Sequence, residues 1–277
     1  MGVTRSSIAI AHNGAIVASY GIGRAADEPV PVASLSKAVT GACVAALVDE
    51  RVLSYDTRLG DLLADRPDLL GVGDDIEIGS LLTHTSGLRP DQTQSVLNPT
   101  LWGAADMHDQ FATLALSREP GENSFFYNNE NYAVLGAVIM HVTGESVEDA
   151  CGSRVLPGLE SASADARMGG GLAWGGWTIS VADYTRFVAG LSPINDWPRA
   201  ALGEISYGPG VFIRPTPDGQ NHWHFGGFCL WGFGDHGAFF VALDNGWTIT
   251  TQYDVCLSGE QSRDLSIRLS NAAYEDG

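Results

Sequence analysis

The sequence has little positive charge and almost no lysine. Its 277 residues carry 15 cations against 33 anions, a formal net charge of −18. Fourteen of the cations are arginine, and the single lysine is Lys37. Because nucleic acid and anionic lipid bind positively charged surfaces, this balance argues against either as the main partner. GC-rich coding explains a preference for arginine, but it leaves open why the one lysine stands at position 37.

Other features are also missing. No stretch approaches the roughly 20 consecutive apolar residues of a membrane helix, and no basic-then-apolar leader precedes the first predicted strand. The four cysteines show no CxxC pairing. The sequence therefore predicts a cytoplasmic protein with reduced, buried thiols and no membrane association. Its length suits one domain or two closely packed ones.

The order of predicted elements indicates an α+β fold. Two short apolar runs at 7–10 and 15–20 flank an Asn-Gly turn, which predicts a hairpin. Helical spacing begins at Ser34 and a mostly helical stretch continues to about residue 166. A further helix is predicted at 180–191. The last third reads as strands at 210–214, 222–229, 238–243 and 247–252, closed by an amphipathic helix at 260–273.

Strands from both ends of the chain are expected to share one sheet. This predicts an α/β sandwich, in which an antiparallel sheet is flanked by helices and a helical block is inserted between its strands. The predicted division assigns residues 1–33 and 168–277 to a sheet subdomain and residues 34–167 to a helical subdomain. The active site is then expected in the cleft between them.

Ser34 and Lys37 form an S-x-x-K motif at the start of the first predicted helix. Residues three apart lie on one helix face, within hydrogen-bond reach. A serine hydroxyl needs a neighbouring base to become a nucleophile. Lysine can be that base once its pKa is lowered, whereas arginine keeps its proton. The motif is suggestive, and alone it does not decide the chemistry.

Two further motifs could complete such a site. Tyr127 and Asn129 form the only Y-x-N, where a phenol near an ammonium could ionise partly and relay protons; a turn rich in left-handed asparagines is the alternative. His224 and Gly226 form an H-x-G on a predicted strand. Gly226 permits close approach of a ligand, and the N–H of Gly227 could line an oxyanion hole.

No cofactor or metal is predicted. His222 and His224 lack a third ligand at diagnostic spacing, and the glycine clusters at 169–171 and 175–176 lack the Gly-Lys-Ser/Thr of a phosphate loop. Seven aromatic residues could either line an apolar acyl pocket or pack in the core. They are Trp102, Trp174, Trp177, Trp223, Phe225, Phe228 and Trp231.

The three motifs, in this order, resemble those of the serine β-lactamase and penicillin-binding-protein superfamily, in its class C and DD-peptidase/esterase branch. The segments LLTHTSGL (81–88), YNNENYAVLG (127–136) and 169–187 resemble further segments of that branch. The resemblance extends from about residue 7 to residue 245. The histidine at 224, in place of the usual lysine, weakens any expectation of efficient β-lactam hydrolysis.

The resemblance implies a role for each motif residue. Ser34 would be the acylated nucleophile and Lys37 would activate it. Tyr127 would pass the proton to the leaving group and later activate water. Asn129 would orient the substrate and Lys37.

The third motif is implied to complete substrate binding. His224 would take the position often held by lysine, with Gly226 beside it. The N–H groups of Ser34 and Gly227 would form the oxyanion hole.

Three functions follow from this site. The first is a serine hydrolase that cleaves a small ester or amide through a Ser34 acyl-enzyme. The second is an acyltransferase that passes the same acyl group to an alcohol or amine acceptor. The third is a non-catalytic binding domain, which the intact Ser34, Lys37 and Tyr127 disfavour.

Overall fold

A computed structural model describes residues 2–93, 107–191, 196–230 and 234–275. Its main sheet has eight strands in the order β2-β1-β11-β10-β9-β8-β7-β6, and a second sheet has three in the order β3-β5-β4. The strands are β1 (Ser6–His12), β2 (Ala15–Ile22), β3 (Val30–Pro31), β4 (Ser163–Ala164), β5 (Trp177–Ile179), β6 (Ala200–Leu202), β7 (Ile205–Gly208), β8 (Val211–Pro215), β9 (Gln220–Leu230), β10 (Gly234–Ala242) and β11 (Trp247–Tyr253).

Helices are the main regular elements between β3 and β6. They are α1 (Ser36–Asp49), α2 (Leu59–Leu62), α3 (Pro67–Leu70), α4 (Ile78–Leu82), α5 (His108–Leu116), α6 (Asn129–Thr143), α7 (Val147–Val155), α8 (Val181–Ala189) and, near the end, α9 (Gly259–Glu275). Short 3-10 turns cover Ala33–Leu35 and Gly169–Gly171. Within the described ranges, none of these helices is long and apolar enough to cross a membrane.

The predicted α+β fold is confirmed. The first hairpin turns at Asn13 and Gly14, both with positive φ, as an Asn-Gly turn requires. β1 pairs antiparallel with β11, placing Ser6 opposite Tyr253. Strands from the two ends of the chain therefore share one sheet, as the order of elements predicts.

The main sheet is covered on both faces because its strands alternate between two cores. In β10, Ala238 and Phe240 point into the larger core with the helical block, while Phe239 and Val241 point into a smaller one. α8 packs across β1 and β11. Apolar residues of α9 complete the smaller core on the opposite face. The helical block thus meets the sheet on the face that carries the even-numbered residues of β10.

Several short elements differ from the sequence prediction. The helix predicted from Ser34 begins as a 3-10 turn, and its α-helical part starts at Ser36. Within the stretch predicted to be mostly helical, the segment 59–70 contains two separate four-residue helices, the second with Pro67 in its first turn. The strands of the small sheet span two or three residues. Such strands carry too little periodicity to be recognised locally, since tertiary pairing defines them.

The prediction of reduced thiols is wrong. Cys43 and Cys151 form a disulfide between α1 and α7, with their Cα atoms 5.1 Å apart. Cys229 and Cys256 form a second one, between the end of β9 and the loop after β11, with a Cα separation of 5.8 Å. The pairs are 108 and 27 residues apart in sequence, so no local motif could reveal them.

Candidate active site

Ser34 lies in a bent segment immediately before α1. Ala33, the residue before it, has a φ of +49°, a left-handed conformation uncommon for residues with a Cβ. The Tyr184 hydroxyl donates a 2.9 Å hydrogen bond to the carbonyl of Leu35 and holds this turn. Strained backbone fixed by its surroundings is typical of functional positions.

Lys37 is fully buried beside Ser34. Its Nζ lies 3.3 Å from the Ser34 Oγ and donates a 2.8 Å hydrogen bond to the carbonyl of Trp174. Burial lowers the pKa of Lys37 to about 7, and the negative charge of Asp91 opposes part of this shift. A large fraction of Lys37 is therefore a neutral amine at neutral pH, able to accept a proton from Ser34.

Close backbone and ring contacts surround Lys37. Gly210 has a φ of +78°, and a Cβ at this position would come 2.2 Å from the Lys37 carbonyl oxygen. The Nζ lies 5.0 Å from the ring centre of Tyr127 and 5.7 Å from that of Tyr132. Aromatic faces attract a cation, so the protonated form also has favourable contacts in this site.

Tyr127 presents a buried hydroxyl to the same space. This hydroxyl has no hydrogen-bond partner among the described residues. Burial raises the pKa of Tyr127, and the negative charge of Asp91 raises it further. The nearby Ser34 side chain lowers this pKa in part, although the hydroxyls of Ser34 and Tyr127 do not reach hydrogen-bonding geometry. The prediction of a partly ionised phenol is therefore not supported, because burial keeps the proton on Tyr127.

Asn129 is held by a loop that the sequence prediction did not include. Its backbone N–H donates to Asp91 at 3.1 Å, and its side-chain Nδ2 donates to the Thr93 hydroxyl at 3.0 Å. The Oδ1 is buried without a partner in the described parts of the chain. The predicted contact with Lys37 is not among the hydrogen bonds of Asn129.

The sequence motifs assign no role to His84, although it lies in the LLTHTSGL segment. It is buried. Its Nδ1 accepts hydrogen bonds from the backbone N–H of Asn128 at 3.3 Å and from the side-chain amide of Asn131 at 3.1 Å. Its ring centre lies 4.5 Å from that of Tyr127. Burial and the nearby Lys37 lower the pKa of His84 well below its usual range. His84 is thus a neutral support for the loop that carries the tyrosine.

His224 reaches the site from β9 as a neutral ring. It is 2% exposed, with Nδ1 at 2.6 Å from the Phe225 carbonyl oxygen and Nε2 at 3.5 Å from the Tyr207 hydroxyl. Burial and the charge of Lys37 lower the pKa of His224 to about 3. It therefore cannot supply the positive charge that a lysine would supply at this position.

The two glycines after His224 bring β9 close to the Ser34 turn. A Cβ on Gly226 would lie 2.3 Å from the Val32 carbonyl oxygen and 3.1 Å from the Ser34 nitrogen. Only a residue without a side chain fits there. Gly227 follows on the same strand, so an oxyanion hole formed by the N–H groups of Ser34 and Gly227 stays a prediction that this approach supports.

The aromatic residues suggested as an acyl pocket do not lie together. Three lie in or against the larger core (Trp174, Trp177 and Phe228) and two pack against the smaller core (Trp223 and Phe225), while Trp102 and Trp231 lie outside the described residues. Core packing is therefore the role of these five.

Comparison with known proteins gives a consistent result. A family model described as Beta-lactamase matches residues 6–271. Penicillin-binding protein 4 of Amycolatopsis lactamdurans is 28% identical over 158 residues, which are 53% of this chain and 38% of that protein. The matched segment thus spans well under half of that relative.

Solved structures share the fold at low sequence identity. A β-lactamase/D-alanine carboxypeptidase from Pseudomonas syringae has a TM-score of 0.78 and 16% identity, covering 97% of this chain and 94% of that one. A D-amino acid amidase from Ochrobactrum anthropi has a TM-score of 0.77 and 16% identity, covering 99% and 95%. A D-stereospecific amidohydrolase from Streptomyces has a TM-score of 0.72 and 18% identity, covering 92% and 90%. At these identities the likeness concerns the fold.

Proposed function

Because this chain belongs to the β-lactamase family, we propose that it is a serine hydrolase that cleaves a small amide or ester through an acyl-enzyme on Ser34. The observation that carries the proposal is the Ser34–Lys37 pair, in which a buried amine lies 3.3 Å from the serine hydroxyl. A base at that distance with a pKa of about 7 is suited to general-base catalysis near neutral pH.

In the first half of the reaction, the neutral Lys37 amine takes the hydroxyl proton as the Ser34 Oγ attacks the substrate carbonyl carbon. The carbonyl π bond opens to an oxyanion. This oxyanion accepts hydrogen bonds that the N–H groups of Ser34 and Gly227 donate. The bond to the leaving group then breaks, and the acyl group remains as an ester on Ser34.

Tyr127 acts in this scheme as a proton relay that starts and ends protonated. It donates its phenolic proton to the departing amine or alkoxide and is reprotonated from the Lys37 ammonium. Its raised pKa is consistent with a donor and opposes a resting phenolate base. In the second half, water attacks the acyl ester and transfers a proton back along the same path, which regenerates Ser34.

D-configured aminoacyl amides and esters are the first substrates to test. Structural neighbours include a D-amino acid amidase, a D-stereospecific amidohydrolase and a D-alanine carboxypeptidase. We place the acyl group in the cleft between the helical subdomain (residues 34–167) and the sheet subdomain (residues 1–33 and 168–277). Acyl transfer is the alternative outcome, in which an alcohol or amine replaces water at the second step.

Labelling with a fluorophosphonate followed by intact-mass measurement tests the proposal. We expect one adduct on the wild type, none on Ser34→Ala, and one on the control Ser262→Ala, whose serine lies on α9 away from the site. Equal labelling of Ser34→Ala and wild type, or no labelling at all, would overturn the acyl-enzyme. Hydrolysis of a D-alanine amide with and without added alcohol or amine then measures how the acyl group partitions between water and the acceptor.

A further inference from the structure

A groove separates α9 from the main sheet on the face opposite the active site. Its volume is about 670 Å³, within the range of about 300–1,000 Å³ that small-molecule sites occupy. Two neighbouring strands form its floor, where Val241 of β10 is paired opposite Trp223 of β9. Phe225 and Leu243 extend the floor along the same two strands. The groove is therefore concave and lined by apolar side chains.

The helix α9 covers this floor only in part. Ala273 is the one buried residue among the 17 that form the helix. Ser262, Ser266 and Ser270 line the helix side of the groove. Residues four apart lie on one face of a helix, so these three serines face the floor together. Because their side chains are small, they leave open space where larger apolar side chains would close the gap.

The groove is positively charged in a protein that is strongly negative. Arg214 lines it from β8 on the sheet side and Arg263 lines it from α9 on the helix side. No aspartate or glutamate of the described chain lines it, although the sequence has 33 acidic residues and a formal net charge of −18. Asp264, which follows Arg263 on α9, is paired with Arg268 at 2.8 Å. An anion in the groove thus meets two cations and no carboxylate.

Arg214 connects this charge to the apolar floor. The carbon at the centre of its guanidinium lies 5.1 Å from the ring centre of Trp223, a distance at which a cation and an aromatic face attract each other. A planar guanidinium presents N–H donors that match the two oxygens of a carboxylate. A carboxylate bound there would direct an attached hydrocarbon chain over Trp223 and Phe225.

We propose that the groove between α9 and the main sheet binds an amphiphilic carboxylate, with its head group on Arg214 and Arg263 and its hydrocarbon chain on the floor of β9 and β10. A small hydrophilic anion would leave the floor uncovered, and an uncharged chain would leave the two arginines without an anion. Only a molecule that combines both parts uses the whole groove. The site is separate from Ser34, and the inference does not depend on the proposed function.

Isothermal titration calorimetry of the full chain with decanoate, kept below the concentration at which it forms micelles, tests the inference. We expect one decanoate bound per protein molecule. Acetate carries the same carboxylate without the chain. Its Kd should be higher by about a hundredfold or more, because buried methylene groups contribute to affinity.

Substitutions then separate the head-group contacts from the floor. Arg214→Gln and Arg263→Gln should each raise the Kd for decanoate about tenfold, since each removes a charge-assisted hydrogen bond. Ser266→Trp should abolish binding, because the indole would fill the groove while both arginines remain. Arg268→Gln is the matched control, since its side chain is 76% exposed on the same helix and does not line the groove. Its Kd should equal that of the wild type.

Three results would overturn the inference. They are no binding to the wild type, an unchanged Kd in both Arg214→Gln and Arg263→Gln, and an equal loss of affinity in Arg268→Gln. Both groove arginines are exposed, so their substitution keeps the test valid should Ser266→Trp not fold.

Sedimentation velocity without decanoate examines the other occupant of such a groove. We expect the wild type and Ser266→Trp to have the same oligomeric state. A wild-type dimer that Ser266→Trp dissociates would show that a second copy of the chain covers the groove, and the inference would be wrong. None of these measurements depends on hydrolysis, so their failure leaves the acyl-enzyme proposal standing.

Discussion

Replacing Lys37 by methionine is expected to abolish acylation and to make the protein more stable below about pH 7. The methionine side chain has a similar length but carries no charge. Burial lowers the pKa of Lys37 from 10.5 to about 7, and each tenfold change in proton affinity corresponds to about 1.4 kcal/mol. Keeping the ammonium in the folded protein therefore costs about 5 kcal/mol at pH values below 7.

The sign of the pH dependence follows from proton binding. Between about pH 7 and pH 10.5 the unfolded chain keeps a proton on Lys37 that the native state has lost, so wild-type stability rises with pH. The advantage of methionine is thus largest below pH 7 and vanishes near pH 10.5. Methionine also leaves the Trp174 carbonyl without its hydrogen bond, a loss of about 1–3 kcal/mol. The net gain at pH 6 is expected to be about 2–4 kcal/mol.

Urea unfolding at pH 6 and at pH 9.5 measures this effect. The matched control is Arg268→Met, which removes a cation whose side chain is 76% exposed and should change stability little at either pH. A gain for Lys37→Met that is equal at the two pH values, or a loss at pH 6, would refute the argument that a charge is buried there at a cost. Lys37→Arg should be less stable than wild type, because a buried guanidinium keeps its charge.

Three further results are expected. In a pH series, kcat/KM should rise through about pH 7 as Lys37 loses its proton, and Asp91→Asn should move that midpoint to lower pH; a move to higher pH would contradict the electrostatic argument. Tyr127→Phe should lower turnover about 100-fold or more while the free energy of unfolding stays nearly constant, since the hydroxyl has no partner to lose among the described residues. Replacing Cys43 and Cys151 together by alanine should lower the free energy of unfolding by about 2–5 kcal/mol, measured by urea unfolding without reductant; an unchanged value would show that this disulfide adds no stability.

The predictable part of the fold is the part that local pattern defines. The Asn13-Gly14 turn, the apolar runs beside it and the helix after Ser34 depend on residues a few positions apart. The strands of two or three residues and the pairing of Cys43 with Cys151 depend on segments far apart in sequence. No local signal encodes those, because they are defined only once the helices and the sheet have packed.

The same distinction applies to the site. Ser34, Lys37, Tyr127 and His224 could be selected from the sequence because their motifs are short and their residue types fit acyl chemistry. The protonation of Tyr127 could not, since burial controls it. The network that holds Asn129 could not either, because nothing near that residue in sequence indicates a partner 38 positions earlier.

The pairing of β1 with β11 has a consequence for newly made protein. The β1–β2 hairpin is synthesised long before β11, so β1 lacks its second neighbour until about residue 253 has left the ribosome. β11 and β10 are the only strands in the described sheet between β1 and the strand that lies against Ser34. A nascent or truncated chain that contains Ser34 and Lys37 but lacks β11 therefore lacks the strand that joins β1 to β10. On the proposed function, we expect reactivity of Ser34 only after β11 has been inserted.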